Sequence, residues 1–194
     1  MTEFKRLCVY CGSSDRGPAG HAEAATKLGK MMAANGIGLV YGGGRVGIMG
    51  AVSRGVMAGG GEVFGIIPHF LLKKEVGDRE ITDLEIVDTM HERKARMVEL
   101  SDGFVILPGG LGTLDEFFEI LTWRQLGLHD KPIVVVNLGG YWDRLLALID
   151  AMVEANYVHT RQRASIHVVA SIDEVLPELR GLPGETHPPL TERT

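Results

Sequence analysis

The chain has 194 residues, of which 45% are hydrophobic and 23% are charged, an ordinary composition for a globular protein. This length fits a single domain that buries about 70% of its unfolded surface. The formal net charge of -5 at pH 7 argues against a broad electrostatic attraction for nucleic acid or for an anionic membrane.

The sequence shows no signal for export or membrane insertion. Residues 1–8 lack the apolar segment of a secretory signal, and no apolar run approaches the roughly 18 residues of a membrane span. We therefore expect a cytoplasmic protein.

Short β-branched runs alternate with longer helical patterns along the chain. Strands are predicted at residues 6–10, 38–41, 62–67, 85–87, 103–107, 132–137 and 166–169. Helices are predicted at residues 19–35, 47–59, 90–100, 113–126, 141–155 and 172–179. This alternation predicts an α/β fold with a doubly wound parallel sheet, in a single domain over residues 1–180. Residues 181–194, with three prolines and no apolar periodicity, are predicted to form a disordered tail.

The first predicted strand contains a C-x-x-C pattern formed by Cys8 and Cys11. A redox or zinc role would need a helix N-terminus or a second pair of ligands. Residues three apart on a strand point to opposite faces. We therefore interpret the two cysteines as small strand residues.

Glycine-rich turns follow several of the predicted strands. In doubly wound sheets, ligands bind beyond the carboxyl ends of the strands, where the strand order reverses. Four turns fit that position: Gly12-Ser-Ser14, Gly42-Gly-Gly44, Pro108-Gly-Gly110 and Gly139-Gly140. Tight turns without a ligand would also need glycine. We favour an anion site, because backbone N–H groups at a helix N-terminus bind phosphate.

The second of these turns matches G-x-G-x-x-G through Gly42, Gly44 and Gly47. This pattern is typical of dinucleotide-binding proteins, which suggests an NAD-dependent oxidoreductase as one alternative. The turn follows the second strand rather than the first, however, and no acidic residue stands at the end of the next strand. Both features argue against a nicotinamide cofactor.

Two charged segments allow a purely structural interpretation. Thr113-Leu-Asp-Glu116 fits the capping box, in which the Thr and Glu side chains bond free backbone N–H groups of a helix. On spacing alone, capping is the favoured role of Glu116, with Asp115 as an acid of the first helical turn. The basic residues Arg93 and Lys94 belong to a predicted helix, where a solvated face is the default interpretation.

Three segments taken together resemble a known family. They are Gly42-Gly-Gly-Arg-Val-Gly-Ile-Met-Gly50, Met90-His-Glu-Arg-Lys-Ala-Arg-Met97 and Pro108-Gly-Gly-Leu-Gly-Thr-Leu-Asp-Glu116. In this order they are similar to the Lonely Guy family of cytokinin riboside 5'-monophosphate phosphoribohydrolases, whose P-G-G-x-G-T-x-x-E pattern the last segment matches in full. The resemblance extends from Cys11 to about Leu179.

The resemblance implies a Rossmann-like homodimer that hydrolyses the N-glycosidic bond of an adenine-type nucleoside 5'-monophosphate, with no cofactor and no metal. Carried over by position, the catalytic pair is Arg93 and Glu116. Together with the earlier turns, the expected substrate contacts are Ser14, Gly43, Gly44, Glu75, Lys94, Gly109, Gly110, Gly112, Thr113 and Thr122. No nucleic acid or membrane partner is expected.

The resemblance also suggests how a phosphate and two carboxylates can share one loop. The 5'-phosphate would lie on backbone N–H groups of Gly110, Gly112 and Thr113, while Glu116 would face the ribose. Breaking the glycosidic bond builds positive charge on the anomeric carbon, which a carboxylate stabilises. Arg93 could pair with Glu116, or contact the ribose hydroxyls or the phosphate.

Two other interpretations of the family pattern remain. A nucleotide-binding sensor without catalysis would use the same loops but would need neither Arg93 nor Glu116. Some members of the family carry the label "lysine decarboxylase", although the sequence offers no lysine placed as a pyridoxal Schiff-base partner. The histidines His69, His91 and His129 are interpreted as solvated or structural.

Overall fold

The computed structural model describes residues 4–72, 77 and 80–182. Seven strands form one sheet. They are β1 (Arg6–Tyr10), β2 (Gly38–Tyr41), β3 (Val63–Pro68), β4 (Asp83–Val87), β5 (Gly103–Ile106), β6 (Ile133–Val136) and β7 (Ile166–Val169). Every neighbouring pair is parallel. All residues of β2, β5 and β6 are buried, because helices cover both faces of a parallel sheet.

The strand order is β4-β3-β2-β1-β5-β6-β7, so the order reverses between β1 and β5. Leu7 and Tyr10 of β1 pair with Gly103 and Ile106 of β5 along that boundary. The turns beginning at Gly12 and at Pro108 therefore leave the sheet side by side, at the place where doubly wound sheets bind ligands.

The described residues form seven α-helices. They are α1 (Ala19–Ala34), α2 (Gly47–Ala58), α3 (Met90–Glu99), α4 (Leu111–Gln125), α5 (Asp143–Glu154), α6 (Thr160–Ala164) and α7 (Val175–Gly181). One core cluster joins α1, α2 and α7 to the sheet, and a second joins α3, α4 and α5 to its other face. The predicted doubly wound parallel sheet is thus confirmed.

The two cysteines lie on opposite sides of this sheet. Cys8 belongs to the core beneath α3 and α4, whereas Cys11 belongs to the core beneath α1 and α2. Neither forms a disulfide, and both are buried. Among the described residues, no group of three or more His, Cys, Asp or Glu side chains is placed to hold a metal ion.

The boundaries of some predicted helices were wrong. The helix predicted from residue 141 begins at Asp143, after a 3-10 turn over Leu138–Gly140, because Gly139 and Gly140 adopt positive φ angles. The helix predicted at 172–179 is divided into a 3-10 turn (Ile172–Glu174) and α7. Helix α6 was not predicted. Of the predicted tail, residues 183–194 lie outside the described part of the chain.

No helix in the described part of the chain combines the length and the apolar character that a membrane crossing requires.

Candidate functional site

The site is built where the turns after β1 and β5 meet. The Gly12 N–H donates to the Pro108 carbonyl at 3.0 Å, and the Leu107 N–H donates to the Tyr10 carbonyl at 3.0 Å. A Cβ at Gly109 would lie 2.8 Å from the Gly12 nitrogen and would also overlap the Thr113 side chain. Glycine at 109 therefore allows the two turns and the start of α4 to pack against each other.

The start of α4 contradicts the predicted capping box. The helix begins at Leu111 with Gly110 as its N-cap, no side chain caps it, and the first turn carries no acidic residue. Thr113 is consequently the third residue of the helix and Glu116 the sixth, too far along to reach free N–H groups of the first turn. In the described part of the chain, capping boxes are formed instead by Thr89 with Glu92 and by His159 with Gln162.

The backbone at the start of α4 is open to a ligand. Gly110, Leu111 and Gly112 are exposed, and a Cβ added at Gly110 or Gly112 would meet nothing within 4 Å. The first intrahelical bond runs from the Leu114 N–H to the Gly110 carbonyl. The N–H groups before Leu114 have no carbonyl partner in the helix, which makes this turn an anion-binding element.

The two predicted catalytic side chains are buried, which is rare for charged residues. Arg93 is 3% exposed and Glu116 is 8% exposed. Arg93 lies near the start of α3, behind the Thr89–Glu92 capping box, and its guanidinium donates to the Gly42 carbonyl at 3.1 Å. A Cβ at Gly42 would overlap the Arg93 Nη2 atom, so the glycine after β2 leaves room for the guanidinium.

Arg93 and Glu116 both influence the pKa of a buried thiol on β1, that of Cys8. Burial raises the pKa of the Cys8 thiol, the negative charge of Glu116 raises it further, and the positive charge of Arg93 acts to lower it. Burial also raises the pKa of Tyr10, with smaller contributions from Cys8 and Glu116. Both charged groups therefore lie within electrostatic range of the same buried thiol, between α3, α4 and β1.

Lys94, predicted as a substrate contact, lies in an ion cluster between α3 and α4. Its ammonium nitrogen is 3.1 Å from Asp115 Oδ2 and 3.0 Å from Glu119 Oε1. Burial acts to lower the pKa of Lys94, but the hydrogen bonds that its ammonium donates to Glu119 and Asp115 outweigh this effect, and the pKa is raised. Asp115 is thus an ion-pair partner of Lys94 rather than an acid of the first helical turn. The cluster fixes α4 against α3, next to Arg93 and Glu116.

The other predicted contacts are spread over a wider area. Ser14 is exposed, and its Oγ accepts from the Arg16 N–H at 3.2 Å. Gly43 and Gly44 are buried beside Gly42. The Thr122 hydroxyl donates to the Phe118 carbonyl at 2.8 Å. Thr122 lies roughly 16 Å along α4 from Leu111, so it is far from the N-terminus of that helix. Glu75 lies outside the described residues.

Sequence reasoning missed one side chain at this site. The Tyr141 hydroxyl donates to the Gly109 carbonyl at 2.7 Å, from the turn that follows β6. The signal was available, because Tyr141 comes directly after Gly139-Gly140, the fourth glycine turn at the carboxyl edge of the sheet. No known sequence motif places a tyrosine directly after such a glycine turn, so the sequence alone did not identify Tyr141 as part of the site.

His129 has the structural role that was predicted for it. Its Nε2 atom lies 2.8 Å from the Ile120 carbonyl, and its Nδ1 atom accepts from the Lys131 N–H at 3.2 Å. A carbonyl only accepts, so Nε2 carries the proton and the ring is neutral. Burial lowers the pKa of His129.

The fold and this site define a class: doubly wound α/β proteins with an open glycine turn and a buried arginine and glutamate at the point where the strand order reverses. Solved structures agree on the fold. The molybdenum cofactor carrier protein from Chlamydomonas reinhardtii is 17% identical, with a TM-score of 0.69, over 90% of this chain and 95% of that one. The molybdenum cofactor binding protein from Rippkaea orientalis is 20% identical, with a TM-score of 0.68, over 93% and 98%.

Sequence comparison is more specific. Residues 49–179 match the family model described as "Possible lysine decarboxylase". Cytokinin riboside 5'-monophosphate phosphoribohydrolases from Arabidopsis thaliana and from Oryza sativa subsp. japonica are each 42% identical to this chain. The alignments cover 92% of this chain and 84% of the Arabidopsis protein, and 91% and 76% for the rice protein. The chain belongs to the Lonely Guy family of phosphoribohydrolases.

Proposed function

We propose that this protein hydrolyses the N-glycosidic bond of adenine-type nucleoside 5'-monophosphates, either a cytokinin riboside 5'-monophosphate or AMP. The products are the free base, an active cytokinin in the first case, and ribose 5-phosphate. The observation that carries this proposal is the burial of two charged side chains, Glu116 in the second turn of α4 and Arg93 on α3, in a protein whose α4 N-terminus is open to a ligand. The names of the relatives from Arabidopsis and rice point to the same reaction.

The start of α4 would bind the 5'-phosphate. The N–H groups of Gly110, Gly112 and Thr113 precede the first intrahelical bond, and the helix dipole adds a partial positive charge there. The open space at Gly110 and Gly112 lets phosphate oxygens approach the backbone closely. Gly109 contributes by leaving room for Thr113, whose side chain is buried beneath the turn.

Glu116 would act on the ribose. It lies three residues beyond Thr113, nearly one helical turn deeper than the phosphate site, so the two anions need not meet. A carboxylate shielded from water stabilises the positive charge that develops on the anomeric carbon more strongly than an exposed one does. It can also orient or deprotonate the water that attacks this carbon.

Arg93 would keep the glutamate charged and in place. Arg93 could pair with Glu116, contact the ribose hydroxyls or contact the phosphate. We favour pairing with Glu116, because the Gly42 carbonyl holds the guanidinium and because both charges influence the pKa of the same buried thiol, Cys8. Because Arg93 belongs to α3 and is also bonded to the turn after β2, its guanidinium has little freedom to move towards a ligand. Lys94, Ser14, Gly43 and Gly44 would complete the surroundings of the substrate.

The same proposal includes a cytoplasmic homodimer. Apolar side chains are exposed along α4 and the segment that follows it, at Leu111, Phe118, Leu126 and Leu128. Such a surface is typical of an interface between protein chains. Thr122 lies on this helix far from its N-terminus, so in a dimer it would contact substrate held by the second copy. Light scattering coupled to size exclusion tests the dimer.

The family label "lysine decarboxylase" receives no support from the site. A Schiff-base lysine must be neutral to attack a carbonyl. Lys94, the lysine packed beside Arg93, has a raised pKa and two carboxylate partners, which keep it charged.

A chromatographic assay tests the proposed reaction. The protein is incubated separately with AMP and with isopentenyladenosine 5'-monophosphate, and the free base is quantified over time. Release of base from either nucleotide is the expected result, and the ratio of kcat/KM values gives the preferred substrate. Binding of both nucleotides without release of base would contradict hydrolysis and favour the sensor.

A further inference from the structure

Tyr141 reaches the glycine turn of the site from a neighbouring strand connection. It follows β6 and precedes α5, and its hydroxyl donates to the Gly109 carbonyl at 2.7 Å. The turn that presents it needs Gly139 and Gly140, whose φ angles are 57° and 78°. These are left-handed conformations that other residues rarely adopt.

Two neighbouring rings contact the ring of Tyr141, which is 45% exposed. The His21 ring packs edge-on against it with centroids 5.4 Å apart, and the Trp142 ring does so at 4.7 Å. Trp142 is buried, and its backbone N–H donates to Asn137 Oδ1 at 2.7 Å. The hydroxyl is therefore fixed relative to both β6 and α1.

The hydrogen bond constrains the peptide plane next to the proposed phosphate site. A peptide unit is planar and trans, so the Gly109 carbonyl and the Gly110 N–H point in opposite directions. Holding the carbonyl on one side directs the N–H to the other. Gly109 and Gly110 are both glycines, which gives this peptide more rotational freedom than any other in the turn. A bond from outside the turn is an effective way to remove that freedom.

We propose that Tyr141 is a positioning residue that preorganises the Gly110 N–H for the 5'-phosphate of the substrate. This rests on the proposed function, because it assumes that the turn binds that phosphate. The hydroxyl acts through the peptide, so its contribution appears only with ligands that carry the phosphate. Loss of one neutral hydrogen bond corresponds to about a threefold to tenfold loss of affinity.

The test compares Tyr141→Phe with its parent for two ligands, AMP and adenosine, by titration calorimetry. Both proteins carry Glu116→Gln, so that AMP binds without being hydrolysed. Tyr141→Phe removes the hydroxyl and keeps the ring in contact with His21 and Trp142. Tyr157→Phe is the matched control, because Tyr157 is 87% exposed. We expect Tyr141→Phe to weaken AMP binding about threefold to tenfold and to leave adenosine binding unchanged. In turnover, KM should rise by the same factor while kcat changes less.

Equal losses for AMP and adenosine would overturn the inference, because Tyr141 would then act on the nucleoside or on the fold. Unchanged AMP binding would overturn it too, as would a Glu116→Gln parent that binds AMP no more tightly than adenosine. If the wild-type protein releases no base, the proposed reaction fails, yet the binding comparison still decides the role of Tyr141.

Discussion

The glycine turns after β2 and after β5 have similar sequences and different surroundings. At Gly42 the space of a side chain is filled by the Arg93 guanidinium, and Gly43 packs against Leu84 and Ile67. At Gly110 and Gly112 the same space is empty and faces solvent. Glycine thus lets a charged group of the protein approach the backbone in one turn and leaves the backbone accessible to a ligand in the other.

This difference indicates that the two turns have separate roles. The turn after β2 fixes the position of Arg93, and the turn after β5 offers N–H groups at a helix N-terminus. Glu116 lies in the second turn of α4, on the buried side of that helix. Substitutions that separate these tasks test the comparison directly.

The largest effect is expected at Glu116. Glu116→Gln keeps the size of the side chain and removes its charge, so base release should fall by about 10² to 10⁴-fold, the range typical of a positioned acid or base. Nucleotide binding and the cooperative unfolding transition should persist. Base release by chromatography and binding by calorimetry measure the two effects.

Glu154→Gln is the control for this substitution, because Glu154 is exposed at the end of α5 and should tolerate the same change. Full activity of Glu116→Gln would show that its burial is structural only.

The next effect distinguishes the two glycine turns. Gly42→Ala places a methyl group on the Arg93 guanidinium, so we expect a loss of about 1–3 kcal/mol in the free energy of unfolding. Displacement of Arg93 should lower kcat/KM by about 10- to 100-fold. Gly110→Ala enters open space and should change the free energy of unfolding by less than about 0.5 kcal/mol.

Denaturant titration of both variants provides the measurement. Equal destabilisation by the two alanines would contradict the distinction between a filled turn and an open one.

A smaller effect is expected at the ion cluster that fixes α4 against α3. Lys94→Met leaves Asp115 and Glu119 without their shared cation, which should cost about 1–2 kcal/mol of stability. Arg96→Met on the same helix is the control, because the Arg96 pairs with Glu85 and Glu99 are more exposed and should contribute less. A larger loss from Arg96→Met would show that burial of the Lys94 cluster adds nothing.

The sequence predicted the strands and the edge of the sheet that carries the site, because these follow from apolar periodicity and from glycine positions. Three strands, β1, β2 and β7, have the predicted bounds. The capping box predicted from the S/T-x-x-E spacing at Thr113 was wrong. A capping box requires the Thr to stand just before the helix, and α4 already begins two residues earlier, at Leu111. The partners of Gly42 and of Tyr141 come from distant parts of the chain, which spacing does not encode.

The smallest effect concerns pH and a residue remote from both turns. The neutral His129 ring donates to Ile120 and accepts from Lys131, and burial lowers its pKa in the folded state. Below a pH of about 6.5 the unfolded chain takes up a proton at this position that the folded protein resists. The stability contributed by neutral His129 is therefore complete above that pH and is lost as the pH falls towards the lower folded-state pKa.

Denaturant titrations between about pH 5 and 8 measure this effect. The free energy of unfolding should depend less on pH for His129→Gln than for the wild-type protein. An identical slope in both proteins would mean that His129 does not couple folding to protonation, and the acid sensitivity would then arise elsewhere in the chain.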